Sequence, residues 1–315
     1  MKLARVILLS LVASSLSACA TFSPADFRAF IAEREGPAEV QFHGVGLQSG
    51  QLILSDAGAP DSLLLSLAGE RYSPFGHAGI ISIEGGKAYV YEGYATLRPF
   101  TTGPPTDAMR GHIRRVTIED YIRRQRVTAI YDPPVGVDKA AVAAYARARH
   151  VDRTEFDPYF DWRDHTRLYC TEFAALALHA GGRPLPALVR LRDNASLSVA
   201  FDWLKLSAPE IVTATSLADG AERVALISRR YDRDEIHAYF AARHELHRRF
   251  TADQKLGNVW FWSWRGLRLR PQVAAFLEAS RTRRDEPLAA IADEVLGTIG
   301  RPSLAAQGAT SADSE

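Results

Sequence analysis

Between Val45 and about Asp132 the apolar residues fall in short runs broken by glycine and proline, a pattern that predicts strands. The runs are Gln51–Leu54, Ala78–Ile83, Ala88–Tyr91, His112–Ile118 and Val127–Tyr131, and Pro133-Pro134 closes the region. Gly85-Gly86 stands between the second run and the third and specifies a hairpin. With those glycines as the loop, Ser82 faces Tyr89, Glu84 faces Lys87 and Gly79 faces Glu92. His77 then lies two residues beyond Gly79 on the face that carries Glu92, as a diagonal neighbour about 7–8 Å away. Thr101–Pro105 reads as a loop.

Helical spacing takes over on either side. Ser23-Pro24 suits a helix start, and Phe27, Phe30 and Ile31 recur at helical spacing after it. Asp138 caps a helix from Lys139 to about Arg149 that carries Val142 and Tyr145 on one side. Phe156–Trp162 is aromatic and irregular, and it leads into Leu168–Gly182. There Ala174–Leu178 are strong helix formers and Gly181-Gly182 supply the stop. Cys170 therefore sits in or just before a first turn, where unpaired N–H groups and the helix dipole favour an anion such as a thiolate. Further helices are expected at Leu197–Leu206, Asp234–Phe250, Pro271–Ser280 and Asp285–Leu296, with strands at Arg223–Ile227 and Val259–Trp262.

Composition narrows the class. The 315 residues are 47% hydrophobic and 24% charged, which is ordinary for a globular protein. A net charge of +1 gives no electrostatic reason to expect nucleic-acid binding. Lys2 and Arg5 followed by the apolar run Val6–Ala13 form a secretory signal too short to span a bilayer. Leu16-Ser17-Ala18-Cys19 then looks like the lipobox of bacterial lipoproteins, which implies cleavage before Cys19 and a lipid on it. The expected location is the bacterial cell envelope, lipid-anchored, at the outer membrane facing the periplasm. The chain has two cysteines, so with Cys19 lipidated, Cys170 is a lone thiol in an exported protein. A lone exported thiol is a liability unless it does chemistry.

A cysteine nucleophile needs a base within reach and a group that orients the base. His77 and Glu92 are the pair on one face, and small Ala78 and Gly79 beside His77 leave room for a substrate. Other clusters are weaker. His237, His244 and His247 lie on one expected helix, with no HExxH motif, and read as a solvated, charge-rich face. Asp161 or Asp164 with His165 could bind a metal, although acidic loops beside a histidine are common. The cluster Trp260, Phe261, Trp262 and Trp264 with Arg265, Arg268 and Arg270 suits a membrane interface or a buried strand. There is no G-x-S-x-G, P-loop or dinucleotide fingerprint, and neither a cofactor nor a metal is expected.

Four stretches carry a resemblance. Ser49-Gly50-Gln51-Leu52-Ile53-Leu54, Gly76-His77-Ala78-Gly79-Ile80-Ile81, Tyr91-Glu92 and Tyr169-Cys170-Thr171-Glu172-Phe173 follow the order of the YiiX/YaeF-like permuted papain-fold amidases, circularly permuted relatives of NlpC-type cell-wall peptidases. Phe156-Asp157 also fits that pattern. Gln51 stands where the family has aspartate, and Thr171 where it has serine. The resemblance implies Cys170 as nucleophile, His77 as base and Glu92 as third polar group. It also implies an α+β, permuted papain-like fold, with an antiparallel sheet or small barrel packed on the cysteine helix and extra C-terminal helices.

The organisation expected is a signal peptide over 1–19, a linker or helix over 20–44 and the hydrolase domain over 45–220. A mostly helical extension over 221–301 and a disordered tail over 302–315 complete it. The substrate would be an amide or ester of cell-envelope material, either a peptidoglycan peptide or a lipid, with membrane contact through the N-terminal lipid. A lipid-directed acyl hydrolase or acyltransferase is the alternative enzyme, and a non-catalytic binding lipoprotein the alternative outside enzymes.

Overall fold

The computed structural model describes residues 27–33, 38–58, 60–97, 109–198, 210–251, 254–263 and 266–297. The expected signal peptide, Cys19, Ser23-Pro24, Thr101–Pro105 and the 302–315 tail lie outside them. In chain order the elements open with β1 (Ala29–Ala32), β2 (Val40–Phe42), β3 (Val45–Leu47), β4 (Leu52–Asp56) and α1 (Pro60–Ala68). Next come β5 (His77–Glu84), β6 (Lys87–Leu97), β7 (Met109–Thr117), α2 (Ile118–Arg124), β8 (Val127–Asp132) and α3 (Lys139–Val151). Then follow α4 (Cys170–Ala180), β9 (Val189–Arg190), β10 (Glu210–Ile211), α5 (Ala214–Ala218), β11 (Glu222–Ser228) and α6 (Arg233–Arg249). The last are β12 (Trp260–Ser263), β13 (Gly266–Leu269), α7 (Pro271–Thr282) and α8 (Leu288–Leu296).

Among the described residues, seven strands form one antiparallel sheet in the order β1-β11-β8-β4-β5-β6-β7. The end strands β1 and β7 are not paired with each other, so the sheet is open rather than a small barrel; residues 154–156 bond along the outer side of β7. Every residue of the central strand β4 is buried, because helices cover both faces. On one face Leu52, Leu54, Ala78 and Ile80 pack with Phe173, Ala174 and Ala177 of α4. On the other, Ile53, Ile81 and Val90 pack with Ile118, Tyr121 and Ile122 of α2. The fold is thus α+β, a large antiparallel sheet with helices.

Local signals translate directly where turn or cap chemistry is strong. Gly85 and Gly86 sit at φ 57° and 74°, the left-handed values that a two-residue hairpin loop demands. The register is the expected one, with Ser82 opposite Tyr89, Glu84 opposite Lys87 and Gly79 opposite Glu92. Asp138 caps α3 by accepting from Ala140 N at 2.9 Å and Ala141 N at 3.1 Å. Gln51, just before β4, is buried and structural. Its Oε1 accepts from Gln48 N at 3.0 Å, and its Nε2 donates to Asp132 Oδ1 at 3.1 Å.

Several expectations are corrected. Phe30 and Ile31 lie in strand β1, paired with Ile227 and Leu226 of β11, and Phe27 lies in the coil just before it. Four residues are too few for apolar spacing to separate helix from strand, and the sheet edge decides. Two helices interrupt the strand-rich region. One is α1; the other is α2, where Ile118 starts a helix because Thr117 caps it, accepting from Asp120 N at 3.2 Å. The expected boundaries at 44/45 and 220/221 do not divide the sheet, since β1 and β11 come from outside them and β11 sits between β1 and β8. Of the expected Leu197–Leu206 helix, residues 197–198 are helical, in a turn spanning 195–198, and the rest lies outside the described residues.

The C-terminal helices α6, α7 and α8 pack on one another, and α6 is pinned to the sheet by charge. Arg243 is fully buried and pairs with Asp56 at the end of β4; Ser62 of α1 donates to the same carboxylate. Tyr239 Oη donates to Asp56 Oδ2 at 2.9 Å, and Arg243 Nη2 donates to Ser66 Oγ at 2.6 Å. Burial raises the Asp56 carboxyl, but Arg243 and these donors together hold it below the ordinary carboxylate value.

Candidate active site

Cys170 opens α4, and Phe173 N is the first amide to bond back, to Tyr169 O at 2.9 Å. The amides of residues 170–172 thus start the helix as free donors in the helical ladder. The turn is held by Glu172, whose Oε2 accepts from Tyr169 N at 3.3 Å, while Tyr169 Oη accepts from Val212 N at 3.1 Å. Gly93 of β6 lies directly beneath: a Cβ there would come within 3.2 Å of Cys170 N and Cα. The absence of a side chain at 93 lets the helix start rest on the strand.

His77 begins β5 at the same end of the sheet. The Cys170 side chain lies close enough to the His77 imidazole to interact with it by charge and hydrogen bonding, and Sγ is 4.0 Å from Gly76 O. Cys170 is buried, whereas 21% of the His77 side chain is exposed. His77 Nε2 donates to Glu92 Oε2 at 2.5 Å, which leaves Nδ1 for the sulfur side. Burial works against charge on the imidazole. The Cys170 thiolate and the Glu92 carboxylate outweigh it and push His77 up to about 10. Burial likewise raises the Glu92 carboxyl, and the His77 hydrogen bond with the charges of His77 and Arg124 reverses that and holds it below its ordinary value.

The structure therefore brings together all three residues that the sequence singled out. It also adds residues that the sequence analysis missed. Arg114 Nε and Arg124 Nη2 both donate to Glu92 Oε1, at 2.9 and 2.8 Å. Arg114 faces Glu92 across the β6·β7 pairing, and Tyr121 stacks on His77 with ring centroids 6.0 Å apart. Tyr121 Oη is bonded to Ser55 Oγ at 2.8 Å, and burial raises its phenol well above the ordinary value. The sequence between β6 and β7 carries no two-glycine hairpin signal like Gly85-Gly86, so the Glu92–Arg114 register could not be read from it.

Other expectations at the site change. The space beside Gly79 is filled, because a Cβ there would meet Tyr91 O and Val90 Cγ1 at 2.8 Å, and Ala78 is buried in the core. Those small residues serve strand packing rather than substrate access. His165 Nδ1 bonds Glu172 Oε1 at 2.7 Å. Burial, assisted by Asp157, Asp161 and Asp164, pushes the Glu172 carboxyl up to about 9 against the pull of the Tyr169 amide. Among the described residues no group of three His, Cys, Asp or Glu side chains is placed to hold a metal ion. His237 and His244 are exposed, the latter stacked on Tyr72 at 4.7 Å. His247 is not part of a solvated face: it is buried and bonds Gly69 O at 2.9 Å. Burial brings it down to about 4. Trp260 is buried in the β12·β13 hairpin, and Trp264 and Arg265 lie outside the described residues.

No family model matches the chain, and no curated protein matches it. One solved structure similar to it is the metalloprotein yiiX from Escherichia coli O157:H7, with 14% sequence identity and a TM-score of 0.44. That likeness covers 56% of this chain and 95% of the other. Among the described residues no helix is long and apolar enough to cross a membrane.

Proposed function

We propose that the chain is a cysteine hydrolase of permuted papain-like fold that cleaves amide bonds of cell-envelope material through an acyl-enzyme. The observation that carries the reading is the chain of contacts from Cys170 through His77 to Glu92 at the start of a helix. Membrane anchoring through a lipid on Cys19 belongs to the same proposal and is supported by the Leu16–Cys19 lipobox.

The Cys170 thiolate attacks the carbonyl carbon while His77 holds the proton. The backbone N–H of Cys170, at the helix start, is aimed to stabilise the oxyanion. His77 then gives its Nδ1 proton to the leaving amine as the C–N bond breaks. Water attacks the thioester, returns a proton to His77 and releases the acid and the thiolate. Glu92 keeps Nε2 protonated, so that Nδ1 is the nitrogen that exchanges protons.

The test incubates the full chain with muropeptides and, in parallel, with phospholipid vesicles. Cleavage of muropeptides that disappears in Cys170→Ala is the expected result. Undiminished cleavage in Cys170→Ala overturns the reading, and Cys170-dependent cleavage confined to lipid replaces amidase with acyl hydrolase.

A further inference from the structure

The two oxygens of Glu92 have separate duties. Oε2 meets His77 Nε2 at 2.5 Å, and Oε1 is taken by two guanidinium groups from different elements. Arg114 comes from β7, directly opposite Glu92, and its guanidinium carbon lies 3.2 Å from the Tyr94 ring centroid. Arg124 comes from the last turn of α2, its Nε donating to Asp120 O at 3.0 Å and its guanidinium carbon 5.6 Å from the same ring. Two arginines on one buried carboxylate exceed what neutralising it requires. With His77 protonated, the group of Glu92, His77, Arg114 and Arg124 carries an excess of positive charge.

The structure assigns Arg114 and Arg124 as positioning residues that act through Glu92 on the Cys170–His77 pair, and this rests on the cysteine-hydrolase reading above. Geometrically, they occupy Oε1, so Glu92 cannot rotate to offer the imidazole a different oxygen. Electrostatically, they act in two directions. Their positive charge favours the thiolate, and the same charge opposes the imidazolium that Glu92 supports. The charged and titratable groups facing His77 and Glu92 are Cys170 from α4, Glu92 and Tyr94 from β6, Arg114 from β7, and Tyr121 and Arg124 from α2. Removing one cation therefore raises the pH at which the thiolate forms and the pH at which His77 loses its proton. A purely structural role moves neither.

The experiment follows iodoacetamide alkylation of Cys170 in the full chain against pH, read by mass spectrometry of the Cys170 peptide. The wild type should show two steps, thiolate formation beside the imidazolium and then loss of the His77 proton. Arg124→Gln and Arg114→Gln should each move both steps upward by about one pH unit. Arg124→Lys keeps the charge and should return both steps to their wild-type positions, and the second arginine supplies an independent glutamine variant should one of the two misfold. Unmoved steps in the folded glutamine variants, or Arg124→Lys behaving as Arg124→Gln, overturn the assignment and leave the hydrolase reading standing. A single step in the wild type, as for an isolated thiol, overturns both.

Discussion

Glu92 is the residue on which the site turns, because it is fully buried and yet ionised. Against the opposing effect of burial, the charge of Cys170 and, after it, that of Glu92 stabilise the His77 imidazolium and push it up to about 10. The sign of removing the Glu92 charge follows. Glu92→Gln keeps an acceptor of the same shape but deletes the charge, so the imidazolium loses support and its proton departs at lower pH. The alkaline limb of activity should move towards neutrality, and the rate should fall by less than in Cys170→Ala, since an orienting group contributes less than the nucleophile. NMR titration of the His77 ring in wild type and variant checks this; identical midpoints would show that the 2.5 Å contact carries no charge coupling.

At the scale of elements, the site depends on three units meeting at one end of the sheet: the β5–β6 hairpin, the start of α4 and the short helix α2. The hairpin is self-specified by its glycine turn. The α4 start is seated on β6 through Gly93, and α2 brings both Tyr121 and Arg124. Behind them, α6 is tied to β4 and α1 by the Arg243–Asp56 pair, which is buried on both sides. Breaking such a pair leaves an uncompensated charge in the core. Arg243→Met should therefore destabilise the protein by about 3–5 kcal/mol, and Arg243→Met with Asp56→Leu should recover part of that loss. Urea unfolding of the two variants measures it. A single variant as stable as wild type would mean that Asp56 is held by Ser62 and Tyr239 alone.

For the whole molecule, the sheet joins segments that the sequence pattern separates. β1 lies at one edge and β11 between it and β8, so residues before 45 and after 220 complete one layer. A chain ending at Gly220 loses β11, which strips β1 of its partner and leaves one side of β8 unpaired. That truncation should lose cooperative thermal unfolding, followed by circular dichroism. A sharp transition close to that of the full chain would restore 45–220 as an independent domain.

The features legible in the sequence are those set by chemistry within a few residues. Gly85-Gly86 dictates a turn and hence a register, and Asp138 dictates a helix start. Alternation within one hairpin puts His77 and Glu92 on one face. These choices are made by φ, by capping hydrogen bonds and by the pleat, all of which act locally. What only the tertiary structure decided is every meeting across a long loop: Cys170 against His77, Arg114 and Arg124 on Glu92, β11 beside β8, and His247 inside rather than out. Such contacts are selected by which apolar faces are buried together, and a short run such as Phe27–Ile31 fits helix or strand until a sheet edge claims it.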